Sequence, residues 1–284
     1  MLTAPVIRHA VAAALAEDAP WGDLTSGLFV PAAAQARMVV RFKQPGVLCG
    51  LPLAREAFLQ AGPDAQWREL QPEGARLAAG TIAAEVRGNA RGLLGAERVA
   101  LNFLQRLSGV ATLTAAFVAR AREGSPHARI VDTRKTTPGL RALEKYAVTT
   151  GGGVNHRFGL SDGILVKDNH LAVLAAQGLT LAQAVAAARA QAPHLCRIEV
   201  EVEDLGMARE ALEAGADVLL LDNMTAAAMR EAVALARGRA LTEASGNITL
   251  ERVAEVAATG VDFISAGALT HSAPALDISL DFEA

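Results

Sequence analysis

Apolar positions along the 284-residue chain follow two regimes. Over roughly the first hundred residues the period changes repeatedly. Val6 to Leu15 has helical spacing, Arg37 to Lys43 reads as a strand, a helix follows Leu51, and strand signals return between Ala75 and Val86. This mixture predicts an α+β layer. From Arg91 to Arg122, the apolar Leu93, Leu94, Val99, Leu101, Phe103 and Leu104 predict a long helical stretch. Ser108-Gly109 interrupts that pattern, which places the junction between two domains close to it.

Beyond Arg129 the chain repeats one unit: an apolar strand, a polar turn and a helix. The strands read ARIVDTRK, DGILVKDN, CRIEVEVED, DVLLLDNM, ALTEASGN and DFISAGAL, and the Ala-rich stretches 180–191, 205–214, 225–236 and 249–257 are helix-compatible. Such alternation predicts an α/β architecture with a parallel sheet or a β/α barrel. A weak internal echo, EAGADVLLLD against ATGVDFISAG, supports the same unit. The last segment, DISLDF, alternates Ile278, Leu280 and Phe282 and is read as a closing strand that returns to the first domain. The expected division is therefore 1–110 with 273–284, and 111–272.

Composition narrows the class. Hydrophobic residues make up 51% of the chain, enough for a large core and too many for a disordered one. The net charge is -3 and no long Lys/Arg run occurs, which argues against a nucleic-acid or anionic-lipid surface. Cys49 and Cys196 form no CxxC pair and sit among apolar neighbours, so reduced thiols are expected, as suits the cytoplasm. The N-terminus lacks a basic region leading a clean apolar run, and no stretch approaches the ~20 apolar residues of a membrane span.

Against that background the segment from Asp132 to His170 concentrates positive charge. Of 27 basic residues only four are lysines, and Lys135, Lys145 and Lys167 fall within it, beside Arg134, His156 and Arg157. The segment predicts a cationic pocket for a small polyanion, with Arg as a planar fork for a carboxylate and Lys as a compact charge. Taken singly, DTRKTTPG also reads as a solvated turn with Pro138 early in a helix, and GGGVNHR as a flexible linker. His156 lacks the companions of a metal ligand and is read as an anion or ring contact. Lys167 ends an apolar strand and is expected to point into the site, as a charged anchor or as a Schiff-base amine.

Acidic residues recur at the strand ends. Glu199, Glu201 and Glu203 alternate along one face of a strand, and Asp222 repeats the placement one strand later. Two such carboxylates suit ribose hydroxyls or a partly hydrated Mg2+ that arrives with a phosphorylated substrate. Ser245-Gly246-Asn247 and Ala266-Gly267 end the last two strands, where backbone N–H groups commonly bind phosphate. Lys135, Lys167, Glu201, Asp222, Ser245 and Ala266-Gly267 thus all lie at or just past carboxyl ends of strands, the face on which barrel active sites assemble.

Taken in order, EDAPWGDLTS, GVLCGLPLAREAF, ERVALNFLQRLSGVAT, the DTRKT to KDNH block, IEVEVE, LLLDNM, EASGNI and ISAGALTHS resemble quinolinate phosphoribosyltransferase, the decarboxylating family of NAD biosynthesis. The resemblance spans essentially the whole chain, with Trp21 where the family often has Tyr. It implies an N-terminal α/β sandwich and an incomplete, open C-terminal β/α barrel of TIM-like type. It also implies a homodimer, or a dimer-based oligomer, with shared sites to which a neighbour donates Arg98. Thr133, Arg134, Lys135, His156, Arg157 and Lys167 would then meet quinolinate and the neighbouring phosphate. Glu201 and Asp222 would face the ribose and Mg2+, with Ser245 to Asn247 and Ser265, Ala266, Gly267 and Ala268 near the 5-phosphate. Lys135, Lys167, Glu201 and Asp222 would carry catalysis, with no organic cofactor. The alternatives are a ModD-like paralogue associated with molybdenum genes and a Schiff-base aldolase.

Overall fold

The computed structural model describes residues 2–283. In chain order the elements are α1 (Ala4–Asp18), α2 (Leu24–Phe29), β1 (Gln35–Phe42), β2 (Gly46–Val47), α3 (Leu51–Ala61), β3 (Gln66–Glu69), β4 (Arg76–Leu77), β5 (Ile82–Asn89) and α4 (Ala90–Gly124). They continue with β6 (Arg129–Val131), α5 (Arg141–Thr150), β7 (Ile164–Val166), α6 (Asp168–Ala176), α7 (Leu181–Gln191), β8 (Ile198–Val202), α8 (Leu205–Glu213), β9 (Val218–Asp222) and α9 (Ala226–Ala236). The last are β10 (Leu241–Ser245), α10 (Val253–Ala257), β11 (Phe263–Ser265), α11 (Ala268–His271) and β12 (Ile278–Phe282). Two compact units result. One comprises Met1–Ala115, Thr137–Gly152 and Ser272–Ala284, and the other Ala116–Thr136 and Gly153–His271.

The first unit is built on an antiparallel sheet in the order β12-β1-β5-β3. The chain end supplies its edge, with Phe42 opposite Ile278 and Met38 opposite Phe282. Strand β3 is an edge that the sequence pattern did not reveal: Gln66-Trp-Arg-Glu has one half-buried residue and three exposed ones, so it carries no alternation to read.

Helix α4 corrects a second expectation, because it runs without a break through Ser108 and Gly109. Those residues are small because other backbone lies against them. The Ser108 hydroxyl accepts the Cys49 N–H at 3.0 Å and donates to the Cys49 carbonyl at 3.1 Å, and a Cβ on Gly109 would overlap the Pro274 carbonyl. The helix after Pro138 also starts later than the sequence suggests, at Arg141, and it lies in the first unit. There Lys145 is buried, and buried Glu144 pairs with Arg106 at 2.7 Å.

The second unit is a parallel sheet in the order β6-β11-β10-β9-β8-β7. Sequence-adjacent strands are paired throughout except β6 and β7, which leaves a barrel open at that seam. Val154 bridges to Val131 beside the gap. The strands are apolar because both faces are covered: Ile198, Val200, Leu219, Leu221, Ala244 and Ile264 are buried, against small helix residues such as Ala208, Ala211 and Ala232. Three of the polar turns cap the helix that follows them. Thr180 accepts from Gln183 N, Asp204 from Met207 N and Thr225 from Ala228 N. Among the described residues no single helix is long and apolar enough to cross a membrane. Cys49 is buried and Cys196 half-buried, and neither is in a disulfide.

Candidate active site

The carboxyl ends of the six parallel strands enclose a cavity of about 560 Å3. Thr133, Arg134 and Lys135 reach it from the loop after β6, His156 and Arg157 from the chain that follows Val154, and Lys167 from the end of β7. Glu201 enters from β8, Asp222 from β9, Ser245, Gly246 and Asn247 from β10, and Ser265 from β11. Ala266, Gly267 and Ala268 do not line it, although Gly267 lies so close to Lys135 that a Cβ there would stand 3.0 Å from Lys135 Cδ. Arg98 is exposed on α4, in the first unit, and is not among the lining residues.

The cations are held in different ways. The loop carrying Lys135 is fastened by the Thr270 hydroxyl, which donates to the Lys135 carbonyl at 2.7 Å. Arg157 donates to the Gly163 carbonyl at 2.9 Å, and burial together with the nearby Arg134 charge pulls its guanidinium below the usual range. The Lys167 ammonium forms an ion pair with Glu201. That is the arrangement of a charged anchor, whereas a Schiff-base nucleophile needs a free amine in an apolar or cation-rich surrounding.

Beneath the cations lies a group of acids. Asp132, fully buried at the end of β6, accepts the His156 N–H at 2.9 Å. The His156 ring accepts the Arg157 N–H on Nδ1 at 2.7 Å, so its proton sits on Nε2, which faces Glu199 at 3.2 Å and Glu243 at 3.5 Å. These three side chains are close enough to surround a metal ion. In that tautomer Nε2 faces the two carboxylates as a donor. With both ring nitrogens engaged inside the protein, His156 presents its ring to the cavity, which favours the ring contact over the anion contact. Burial and the facing Glu199 charge push the Glu243 carboxyl up to about 7.

Asp222 is held by its neighbour: Asn223 Nδ2 donates to Asp222 Oδ2 at 2.8 Å. Asn223, Glu243 and Asp132 were not singled out from the sequence. Glu243 did carry a signal, an acid in the middle of the otherwise apolar or small LTEAS strand, whereas Asn223 reads as an ordinary turn residue after LLLD.

Comparison with known proteins decides the lineage. The model for the C-terminal domain of quinolinate phosphoribosyl transferase matches residues 110–281, and that for its N-terminal domain matches residues 23–108. The chain belongs to the quinolinate phosphoribosyltransferase family. It is 43% identical to the nicotinate-nucleotide pyrophosphorylase (carboxylating) of Mycobacterium leprae, over 96% of this chain and 96% of that one. It is 39% identical to a mitochondrial quinolinate phosphoribosyltransferase (decarboxylating) of Nicotiana tabacum, covering 95% of this chain and 80% of the relative. The solved structure of NadC from Streptococcus pyogenes superposes with a TM-score of 0.93 at 42% identity, covering 100% of this chain and 99% of that one. Within this family frame, every lining residue of the cavity lies inside the C-terminal-domain match, and Arg98 lies inside the N-terminal one.

Proposed function

We propose that the chain is a decarboxylating quinolinate phosphoribosyltransferase, a pentosyltransferase of NAD biosynthesis that converts quinolinate and phosphoribosyl pyrophosphate to nicotinate mononucleotide, pyrophosphate and CO2. The observation that carries this reading is one cavity lined by Arg134, Lys135, Arg157 and Lys167 together with Glu201 and Asp222, at the ends of parallel strands. Such a cavity suits two anionic partners of which one bears ribose hydroxyls.

The quinolinate nitrogen attacks C1 of the ribose, and the bond from C1 to the pyrophosphate oxygen breaks with its electron pair leaving on pyrophosphate. The positively charged pyridinium nitrogen then stabilises the electron pair left on C2 as CO2 departs, and a proton fills that position. The fixed cations hold the quinolinate carboxylates and neutralise the leaving group, while the His156 ring abuts the substrate ring. Glu201 and Asp222 take the ribose hydroxyls. Ser245, Gly246, Asn247 and Ser265, supported by Ala266, Gly267 and Ala268, take the 5-phosphate.

Glu201 and Asp222 are also the residues that would hold Mg2+. The donor set fits: two oxygen ligands from adjacent strands on one side of an open cavity leave room for the waters and phosphate oxygens that this ion retains. When bound, the ion would neutralise charge on the pyrophosphate. No organic cofactor enters the scheme.

The catalytic form is a homodimer, in the cytoplasm, with Arg98 donated to the neighbour's cavity. Support comes from an exposed apolar cluster in the first unit, Trp21, Leu24, Leu28 and Phe29, of which Trp21 is 96% exposed. The deciding assay combines the protein with quinolinate, phosphoribosyl pyrophosphate and Mg2+, with nicotinate run in parallel. Nicotinate mononucleotide detected by mass spectrometry only from quinolinate is the expected result. No product from quinolinate would favour the ModD-like alternative, and product from nicotinate alone would overturn the substrate assignment.

A further inference from the structure

Two non-glycine residues among those described have a left-handed backbone, Asn223 at φ 52° and Asn247 at φ 50°. Each lies one or two residues past the end of adjacent strands, β9 and β10, and both line the cavity. Their side chains are joined: Asn247 Nδ2 donates to Asn223 Oδ1 at 2.9 Å, and Asn223 Nδ2 donates to Asp222 Oδ2 at 2.8 Å. The backbone anchors the pair at both ends. Asn223 N–H donates to the Ser245 carbonyl at 3.0 Å, and Arg252 Nη1 donates to the Asn247 carbonyl at 3.1 Å. Gly246 leaves the space for this arrangement, since a Cβ there would overlap the Asn223 amide and stand 2.9 Å from Asn223 N.

A turn that needed only a positive φ would be served by glycine at no steric cost, and among the described residues glycine takes twelve such positions. Asparagine at these two positions adds an amide as well as tolerating the conformation. The polarity of the relay is fixed by its end. A carboxylate can only accept, so Asn223 must turn its NH2 toward Asp222 and its carbonyl toward Asn247, which must then donate. Asp222 is left with Oδ1, for which the described residues supply no hydrogen bond.

We infer that Asn223 and Asn247 are positioning residues for the pentose-phosphate substrate: their amide relay fixes the Asp222 carboxylate with one oxygen tied down and the other available to the ribose. The inference rests on the transferase reading above. It separates the two substrates, because the relay touches Asp222 and the Ser245 turn while the cations that meet quinolinate belong to other strands.

The test is Asn223→Gly, which keeps the backbone conformation and deletes the amide. KM for phosphoribosyl pyrophosphate should rise by roughly tenfold or more, the value of a hydrogen bond to a charged group. The dissociation constant of quinolinate alone, measured by calorimetry, should stay within about twofold, and the thermal midpoint should not fall. Asn247→Gly, which removes the next link of the relay, should raise the same KM. An unchanged KM and kcat in Asn223→Gly overturns the inference. So does a variant that loses quinolinate binding and thermal stability together, since that is the signature of a structural turn. A wild-type protein that forms no product from the two substrates would remove the transferase reading itself, a failure visible before any variant is made.

Discussion

Lys43 and Lys167 have nearly the same side-chain exposure, 43% and 45%, and each faces a carboxylate. Their surroundings separate them. Lys43 stands 3.6 Å from Asp281 on the edge of an antiparallel sheet, an exposed pair of the kind that contributes almost nothing. Lys167 meets Glu201, only 11% exposed, among the other fixed cations of the cavity. Lys167→Ala and Lys135→Ala should therefore each lower kcat/KM by roughly a hundredfold or more, with Lys43→Ala within about twofold of wild type in the same steady-state assay. Equal losses in all three would sink the site assignment. Glu243 makes a different prediction. Its folded-state carboxyl lies near 7, above the ordinary 4.5, so the folded chain holds a proton that the unfolded chain releases. That preference stabilises the fold below about pH 4.5 and is lost as the pH rises through 7. Glu243→Gln keeps the shape, cannot ionise and can donate to Glu199. It should unfold several degrees above wild type at pH 8, by roughly 2–4 °C per kcal/mol recovered, and the difference in thermal scans should shrink toward pH 5. A gap that widens on acidification would contradict the assignment.

At the scale of elements, Gly109 shows where sequence patterns mislead. Ser108-Gly109 reads as a helix break because both residues lower helix propensity, and propensity alone says that Gly109→Ala should stabilise by about 1 kcal/mol. The structure reverses the sign. Helix α4 continues through both residues, and a Cβ at Gly109 would meet the Pro274 carbonyl, so thermal unfolding of Gly109→Ala should fall by several degrees. A gain would mean that the segment holding Pro274 yields freely. The repeated barrel strands were legible for the opposite reason. Strands covered on both faces are rich in apolar residues, so VLLLD announces both its length and the end that carries chemistry, while IEVEV and LTEAS place Glu201 and Glu243 in the cavity lining. Lys135, Lys167, Glu201 and Asp222 could be placed for that reason. Glu199 was legible as sharing a face with Glu201, but its cluster was not, because nothing local to Glu199 or Glu243 says that a histidine more than forty residues upstream will meet them both. The open form of the barrel and the exposed edge β3 likewise depend on pairings that no single segment encodes.

At the scale of the whole molecule, the proposed dimer requires Arg98 to serve a cavity that its own unit does not line. Arg98 is exposed on α4 and absent from the cavity lining, whereas Lys167 lines the cavity in the second unit. If one subunit supplies Arg98 to the cavity of its partner, the two residues of each working site come from different chains, and defects in them must complement. Arg98→Ala and Lys167→Ala homodimers would each be inactive. Co-expressed in equal amounts with separable tags, they would form heterodimers as about half of the population, and each heterodimer would hold one site with both residues intact. The mixture should then recover about a quarter of wild-type activity, and the purified heterodimer about half, with unchanged KM for both substrates. Loss of that recovery on substituting Trp21 and Phe29 with Ser, together with a monomer in sedimentation, would tie the exposed apolar cluster to the same assembly. A heterodimer no more active than its parents would show that Arg98 acts within its own chain or not at all, and the shared site would fall while the cavity chemistry stood.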